Sequence, residues 1–332
     1  MSDRIDALTS DLLDGFTPGQ QIDLQADYAA PIASTVLSKM ICADETDQAR
    51  FHEVSAMPGA LWTPQHGIEQ MLAWVERTAE FVREMIERRR AEPADDVMTV
   101  LAHTNEDGDT LSDDEIVAMV FLLVVADSDS TDSLIANGIA ALLTHPDQLD
   151  LLKTDPDLID SVVEEILRFP GTIGSTEVFY PMEDIELHGV TIPRGARVIP
   201  LLASANRDPA VFDDPDTFDI TRTPNRHIGF SKGAHFCLGA KLARMETGIA
   251  ITDLISRFPK IKLAVDPSDL LMAPMPILMR RSPAYPSSST DRPHVDIDDP
   301  LSFHGGLHID CGRSGSHTAE FERIVGGSKP GP

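Results

Sequence analysis

Along the first ninety residues, apolar positions recur at three- and four-residue spacing, which predicts helices rather than strands. Ile5, Leu8, Leu12 and Leu13 form one stripe, and Ala29–Met40 forms a second amphipathic segment. A third, Gly67–Arg90, places Met71, Trp74, Val75, Ala79, Val82 and Ile86 on one side and ends in basic residues that suit the negative end of the helix dipole. Asp95–Ala102 predicts a short helix, followed by a turn at Asn105–Asp109. Ser112 with Glu115 reads as a capping box opening an apolar helix that could run to Leu143, about 31 residues or roughly 45 Å. Its middle breaks the pattern, since Asp127 to Asp132 are all polar. Polar residues inside a buried helix are costly unless they line a wet cavity or a site, so the stretch is either such a lining or a surface turn between two helices.

Further on, Pro146–Leu152 and Asp157–Phe169 predict helices, the second ended by Pro170. Ile185 to Ile192, turning at His188-Gly189, and then Val198–Leu202 alternate as strands. A Pro/Asp-rich loop without periodicity leads to Gly239, after which Leu242, Met245, Ile249, Ile251 and Ile255 return at helical spacing. After about Ser282 the patterns stop, and 283–332 reads as a disordered tail behind one domain, 1–282. His304, His308, Cys311 and His317 in that tail have a metal-ligand spacing but no surrounding core.

Composition narrows the partners. Of 332 residues, 27 are Lys or Arg and 54 Asp or Glu, a formal net charge of −27, which disfavours nucleic acid and anionic membranes as partners. The three cysteines, Cys42, Cys237 and Cys311, are far apart and odd in number, so no disulfide framework is implied and a reducing cytoplasm fits. No apolar run is long enough to span a membrane, and the N-terminus lacks a secretory core. The charge reverses locally: between Ile220 and Met245 lie Arg222, Arg226, Lys232, Lys241 and Arg244 and no acid until Glu246. That is either a solvated basic face or a docking patch for an acidic redox partner.

The candidate chemistry lies in Phe230-Ser-Lys-Gly233-Ala-His235-Phe-Cys237-Leu-Gly239. Glycines let backbone lie close to a flat ligand, and the helix that follows offers Cys237 free N–H groups and a positive dipole end, which favour a thiolate. The alternative is a small buried hydrophobe beside a helix cap. Glu165 and Arg168 form an i,i+3 pair that, taken alone, reads as a surface salt bridge.

Phe-x-x-Gly-x-His-x-Cys-x-Gly, at 230–239, resembles the haem-binding signature of the cytochrome P-450 family. Ala126, Asp127, Asp129 and Ser130 resemble that family's oxygen-activating helix motif, with Asp127 where the family has Gly and Ser130 where it has Thr. Glu165, Arg168 and the later Arg222 resemble its structural triad. The resemblance covers roughly 5–275 and implies a mainly α, P-450-like helical fold with small peripheral sheets, lacking the usual N-terminal part. It implies haem b ligated through Cys237, with Phe230, Gly233, Gly239 and Ala126 around it, His235 on a propionate, and Asp129 and Ser130 relaying protons. An arginine that usually meets a propionate is Phe179. The activity implied is monooxygenation of a small organic substrate with electrons from ferredoxin and ferredoxin reductase. Peroxide-driven oxidation and a degenerate, non-catalytic relative are the rival readings.

Overall fold

The computed structural model describes residues 1–56, 68–106, 108–127, 130–176, 178–266 and 294–296. Among them, helix dominates. The helices are α1 (Ser2–Asp14), α2 (Ala30–Ile41), α3 (Glu45–Ser55), α4 (Ile68–Ala91), α5 (Val97–His103), α6 (Asp113–Asp127), α7 (Thr131–Thr144), α8 (Pro146–Thr154), α9 (Ile159–Arg168), α10 (Leu202–Ala205) and α11 (Ala240–Arg257). The strands are short: β1 (Gln21–Asp23), β2 (Asn105–Glu106), β3 (Asp109–Thr110), β4 (Ile185–Leu187), β5 (Val190–Ile192), β6 (Lys262–Leu263) and β7 (His294–Asp296). The chain divides into two compact units, Met1–Asp299 and Pro300–Pro332, and every described residue belongs to the first.

Local chemistry accounts for most boundaries. Ser112 and Glu115 cap α6 reciprocally, the Ser112 N–H reaching Glu115 Oε2 at 2.8 Å and the Glu115 N–H reaching Ser112 Oγ at 3.3 Å. Asp96 caps α5 through the Thr99 N–H at 2.8 Å and takes the buried Arg89 at 2.6 Å, so the basic end of α4 is spent on ion pairs rather than left to solvent. His188 and Gly189, both at positive φ, turn β4 back onto β5. The helix α3 carries no clear apolar stripe and was not expected. It forms because Asp44 caps it and Phe51 is buried in the core.

Three expectations need correction. Val198–Leu202 is not a strand: Val198 makes a single bridge to Phe179, and Leu202 begins the short α10. The long helix to Leu143 is two, because Ser130 stands outside both α6 and α7 as the N-cap of the latter. Ala126 ahead of the break is exposed, and Asp132 and Ser133 beyond it are buried. Within the stretch expected to be a tail, β7 pairs antiparallel with both β1 and β6, Val295 facing Ile22 and Leu263 in register. The remainder of 283–332, with His304, His308, Cys311 and His317, lies outside the described residues, as does the expected boundary at 282.

Two cores result. One joins Ile5, Tyr28, Ile135, Val162, Ile166, Ala250 and Leu254 from α1, α7, α9, α11 and a π-helical turn at Leu24–Ala29. The other joins Ile41, Phe51, Phe81, Ile86, Met98 and Val120 from α2 to α6. The π turn ties the first core together through buried polar groups: Tyr28 donates to Ala250 O at 2.8 Å and Gln25 to Asp132 at 3.0 Å. The α6–α7 break and the start of α11 sit on the rim of this first core, which places the site.

Candidate active site

The cysteine loop is built by backbone. The Cys237 N–H donates to Phe230 O at 3.0 Å and closes the loop, while Phe236 N reaches Gly233 O at 3.1 Å inside it. Ser231 and Gly233 take positive φ, at 62° and 88°, the first a strained position for a residue with a side chain. Gly239 then caps α11, so Cys237 lies two residues before the cap and three before the helix. Phe230 is buried beneath the loop, whereas Phe236 and Leu238 beside the half-buried cysteine are 51% and 81% exposed. A Cβ added at Gly233 or Gly239 would meet nothing within 4 Å. A thiol between two open apolar side chains, on a loop with free space over it, is a surface shaped for an apolar ligand.

Below the loop, Glu165 and Arg168 are both 0% exposed and joined by two bonds of 2.7 Å. Arg168 also donates to the carbonyls of Asn206, Pro215 and Thr217, fixing the long loop that leads to the cysteine. Glu165 further accepts from Asp219 N at 2.9 Å and Asn225 Nδ2 at 3.1 Å, with Arg222 Nε at 3.4 Å. Each buried charge here has its partners, the condition under which such a pair is tolerated.

The α6–α7 break is the opposite. Asp127 at the end of α6 is pushed up to about 7, by burial first and by the nearby charge of Asp132 second. Glu246, on α11 and 1% exposed, is pushed up to about 9 by burial and by Asp127, and its Oε2 has no hydrogen-bond partner. Glu246 lies on α11, the helix that Cys237 precedes, close enough to Asp127 for its charge to be felt. Ser130 Oγ donates to Ala126 O at 2.6 Å, and Ala126 is exposed. Asp129 lies outside the described residues.

The family model described as Cytochrome P450 matches residues 44–286. The chain is 39% identical over 267 residues to Cytochrome P450 107B1 of Saccharopolyspora erythraea, covering 80% of this chain and 65% of that one. It is 36% identical to the Cytochrome P450 monooxygenase PikC of Streptomyces venezuelae, covering 83% and 66%. The structure of the Bacillus subtilis cytochrome P450 PksS superposes with a TM-score of 0.80 at 32% identity, covering 90% of this chain and 74% of that one. The chain belongs to the cytochrome P450 family. It spans about two thirds, 65% and 66%, of the length of the two curated relatives just named.

Cytochrome P450 proteins bind haem, and the open apolar loop around Cys237 fits a flat, largely apolar group with an iron that takes a thiolate. His235 is exposed and available to a propionate. Phe179, 52% exposed, offers no charge there. The basic stretch keeps only part of its charge for a partner. Arg222 is drawn into the Glu165 set, and Arg244 is held by Glu164 at 2.5 and 3.0 Å, so only Arg226, Lys232 and Lys241 remain as exposed cations.

Glu164, His227, Arg244 and Glu246 were missed as site residues. Glu164 is masked in sequence by its neighbour Glu165, and two adjacent helical acids give no sign that both are used. Arg244 was read as part of a charge run, and His227 and Glu246 carry no spacing signal at all. Among the described residues no helix is long and apolar enough to cross a membrane.

Proposed function

We propose that this cytochrome P450 chain forms the haem site of a haem-thiolate monooxygenase. It would insert one oxygen atom from O2 into a small organic substrate and release the other as water, taking two protons and two electrons, the electrons from a ferredoxin that ferredoxin reductase reduces, in the cytoplasm. The observation that carries the reading is Cys237 held at the mouth of α11, between exposed Phe236 and Leu238, in a loop closed by one main-chain bond. Bound haem supplies the iron at which O2 is activated. Cys237 would be its ligand, Phe230 the support beneath the loop, Gly233 and Gly239 the close backbone, and His235 a propionate donor. Ala126 leaves room at the end of α6. Ser130 and Asp129 would pass protons, and Asp127, poised near neutrality, would set a partly ionised carboxylate beside them. PikC is a monooxygenase by name, and another relative, 35% identical, is a 6-deoxyerythronolide B hydroxylase. Both favour an enzyme over a non-catalytic relative, and a small apolar organic molecule as substrate.

The test is product formed per electron consumed, with ferredoxin, its reductase and any substrate that perturbs the haem spectrum. Turnover in the parent that vanishes in Cys237→Ala supports the reading. Asp127→Gly is expected to raise the yield per electron, because an acid poised near neutrality is half ionised at the site. A parent that binds haem and accepts electrons but forms no product is the non-catalytic relative, and turnover with peroxide alone removes the ferredoxin partner.

A further inference from the structure

Glu164 lies one residue before the buried Glu165, and nothing said so far gives it work. Its carboxylate joins three elements. On α9 itself, Oε1 accepts from Arg244 Nε at 2.5 Å and Oε2 from Arg244 Nη2 at 3.0 Å, a two-pronged bond to α11. Oε2 also meets His227 Nε2 at 2.8 Å, in the loop that leads to Phe230. The His227 ring has one orientation that serves both ends: Nδ1 must accept the Gly229 N–H at 3.1 Å, so Nε2 carries the hydrogen given to Glu164. Gly229 is pressed against α9, where a Cβ would stand 2.9 Å from Leu167 O. Held by Glu164, the Arg244 guanidinium lies 4.6 Å from the centroid of the Phe230 ring, the side chain whose carbonyl closes the cysteine loop. Burial would raise the Glu164 carboxyl, yet the hydrogen bonds from Arg244 and His227 and the charge of Arg244 outweigh it and hold it at about 2.

The geometry points to Glu164, Arg244 and His227 as positioning residues that clamp Phe230 and with it the loop presenting Cys237. In its bearing on haem this rests on the haem-thiolate reading. The clamp works by shape: the fork fixes the guanidinium plane, and the plane fixes the phenyl ring. A lysine at 244 would keep the charge and lose both.

The experiment compares amide hydrogen exchange in haem-free parent, Arg244→Met and Arg244→Lys, at residues 230–239 and in α7, and then adds hemin to each. Exchange in 230–239 is expected to quicken about tenfold or more in Arg244→Met with α7 unchanged, and Arg244→Lys is expected to recover little of it. With hemin and carbon monoxide, the reduced variants are expected to shift from the thiolate-type to the thiol-type spectrum. Parent-like exchange in Arg244→Met, equal quickening in α7, or full recovery by lysine would each overturn the clamp. A parent without a thiolate-type spectrum would sink the haem-thiolate reading, while the exchange comparison would still decide the clamp.

Discussion

Two sets of carboxylates, one on α9 and one shared between α6, α7 and α11, differ in one respect. On α9, Glu164 and Glu165 are surrounded by donors: three arginines, an asparagine, a histidine and a main-chain N–H. At the α6–α7 break, Asp127 and Glu246 face each other and Asp132, and their affinities for protons rise instead. Each set holds one fully buried carboxylate, Glu165 in the first and Glu246 in the second. Partners decide the outcome: a carboxylate with donors becomes a fixed anion that organises backbone, and one without becomes a group that holds a proton. In the proposed function the first kind would position the loop, and the second would lie close to where protons are taken up.

The largest expected effect is on the first set. Glu165→Ala or Arg168→Ala leaves a buried charge unpaired and is expected to cost ~3–5 kcal/mol. That is a large share of a typical ~5–15 kcal/mol stability, so insoluble protein or a steep drop in the urea midpoint is the outcome to measure. Parent-like melting of either variant would end the contrast between the two sets.

The second set is expected to respond in the opposite sense. Asp127 and Glu246 have native pKa values raised above their unfolded ones, so the unfolded state releases protons first as pH rises. Stability therefore falls from about pH 4 and levels off only once the native groups ionise, near 7 for Asp127 and near 9 for Glu246. Glu246→Gln is expected to raise haem-free stability at pH 8 by on the order of 1–3 kcal/mol, and to flatten its decline between pH 5 and 9. Urea unfolding across that range checks it, and a Glu246→Gln variant less stable at pH 8 than at pH 5 by the parent's margin contradicts the assignment.

Smaller effects sharpen the contrast with ordinary surface charge. Ser112→Ala removes a reciprocal cap and is expected to cost ~1 kcal/mol. Arg83→Ala breaks an exposed pair with Asp114 at 3.0 Å and is expected to move the urea midpoint little, by well under ~1 kcal/mol. A loss there as large as at Arg168 would show that exposure does not separate these pairs.

Much of this was legible in sequence where local chemistry dictates structure. The Ile5–Leu13 stripe, the Ser112–Glu115 box and the His188-Gly189 turn each carry their own cause, and α1, α6 and the β4–β5 hairpin follow. The loop at 230–239 was legible as a motif. What lay hidden depends on contacts across the chain. Glu246 reads as one more charge on an amphipathic helix until α7 and Asp127 are packed against it. Arg244 reads as a docking cation until α9 supplies Glu164. The polar run Asp127–Asp132 marks the break at Ser130 but, without Pro or Gly, does not say whether the helix ends there, and β7 pairs with strands more than thirty residues distant.

The central claim is that Cys237 is the haem ligand, and the reduced carbon-monoxide spectrum of the hemin-loaded protein tests it most directly. The thiolate-type spectrum is expected in the parent and is expected to be absent in Cys237→Ala, with helical circular dichroism unchanged between the two. A thiolate-type spectrum that persists in Cys237→Ala would contradict the account and move the ligand to another cysteine.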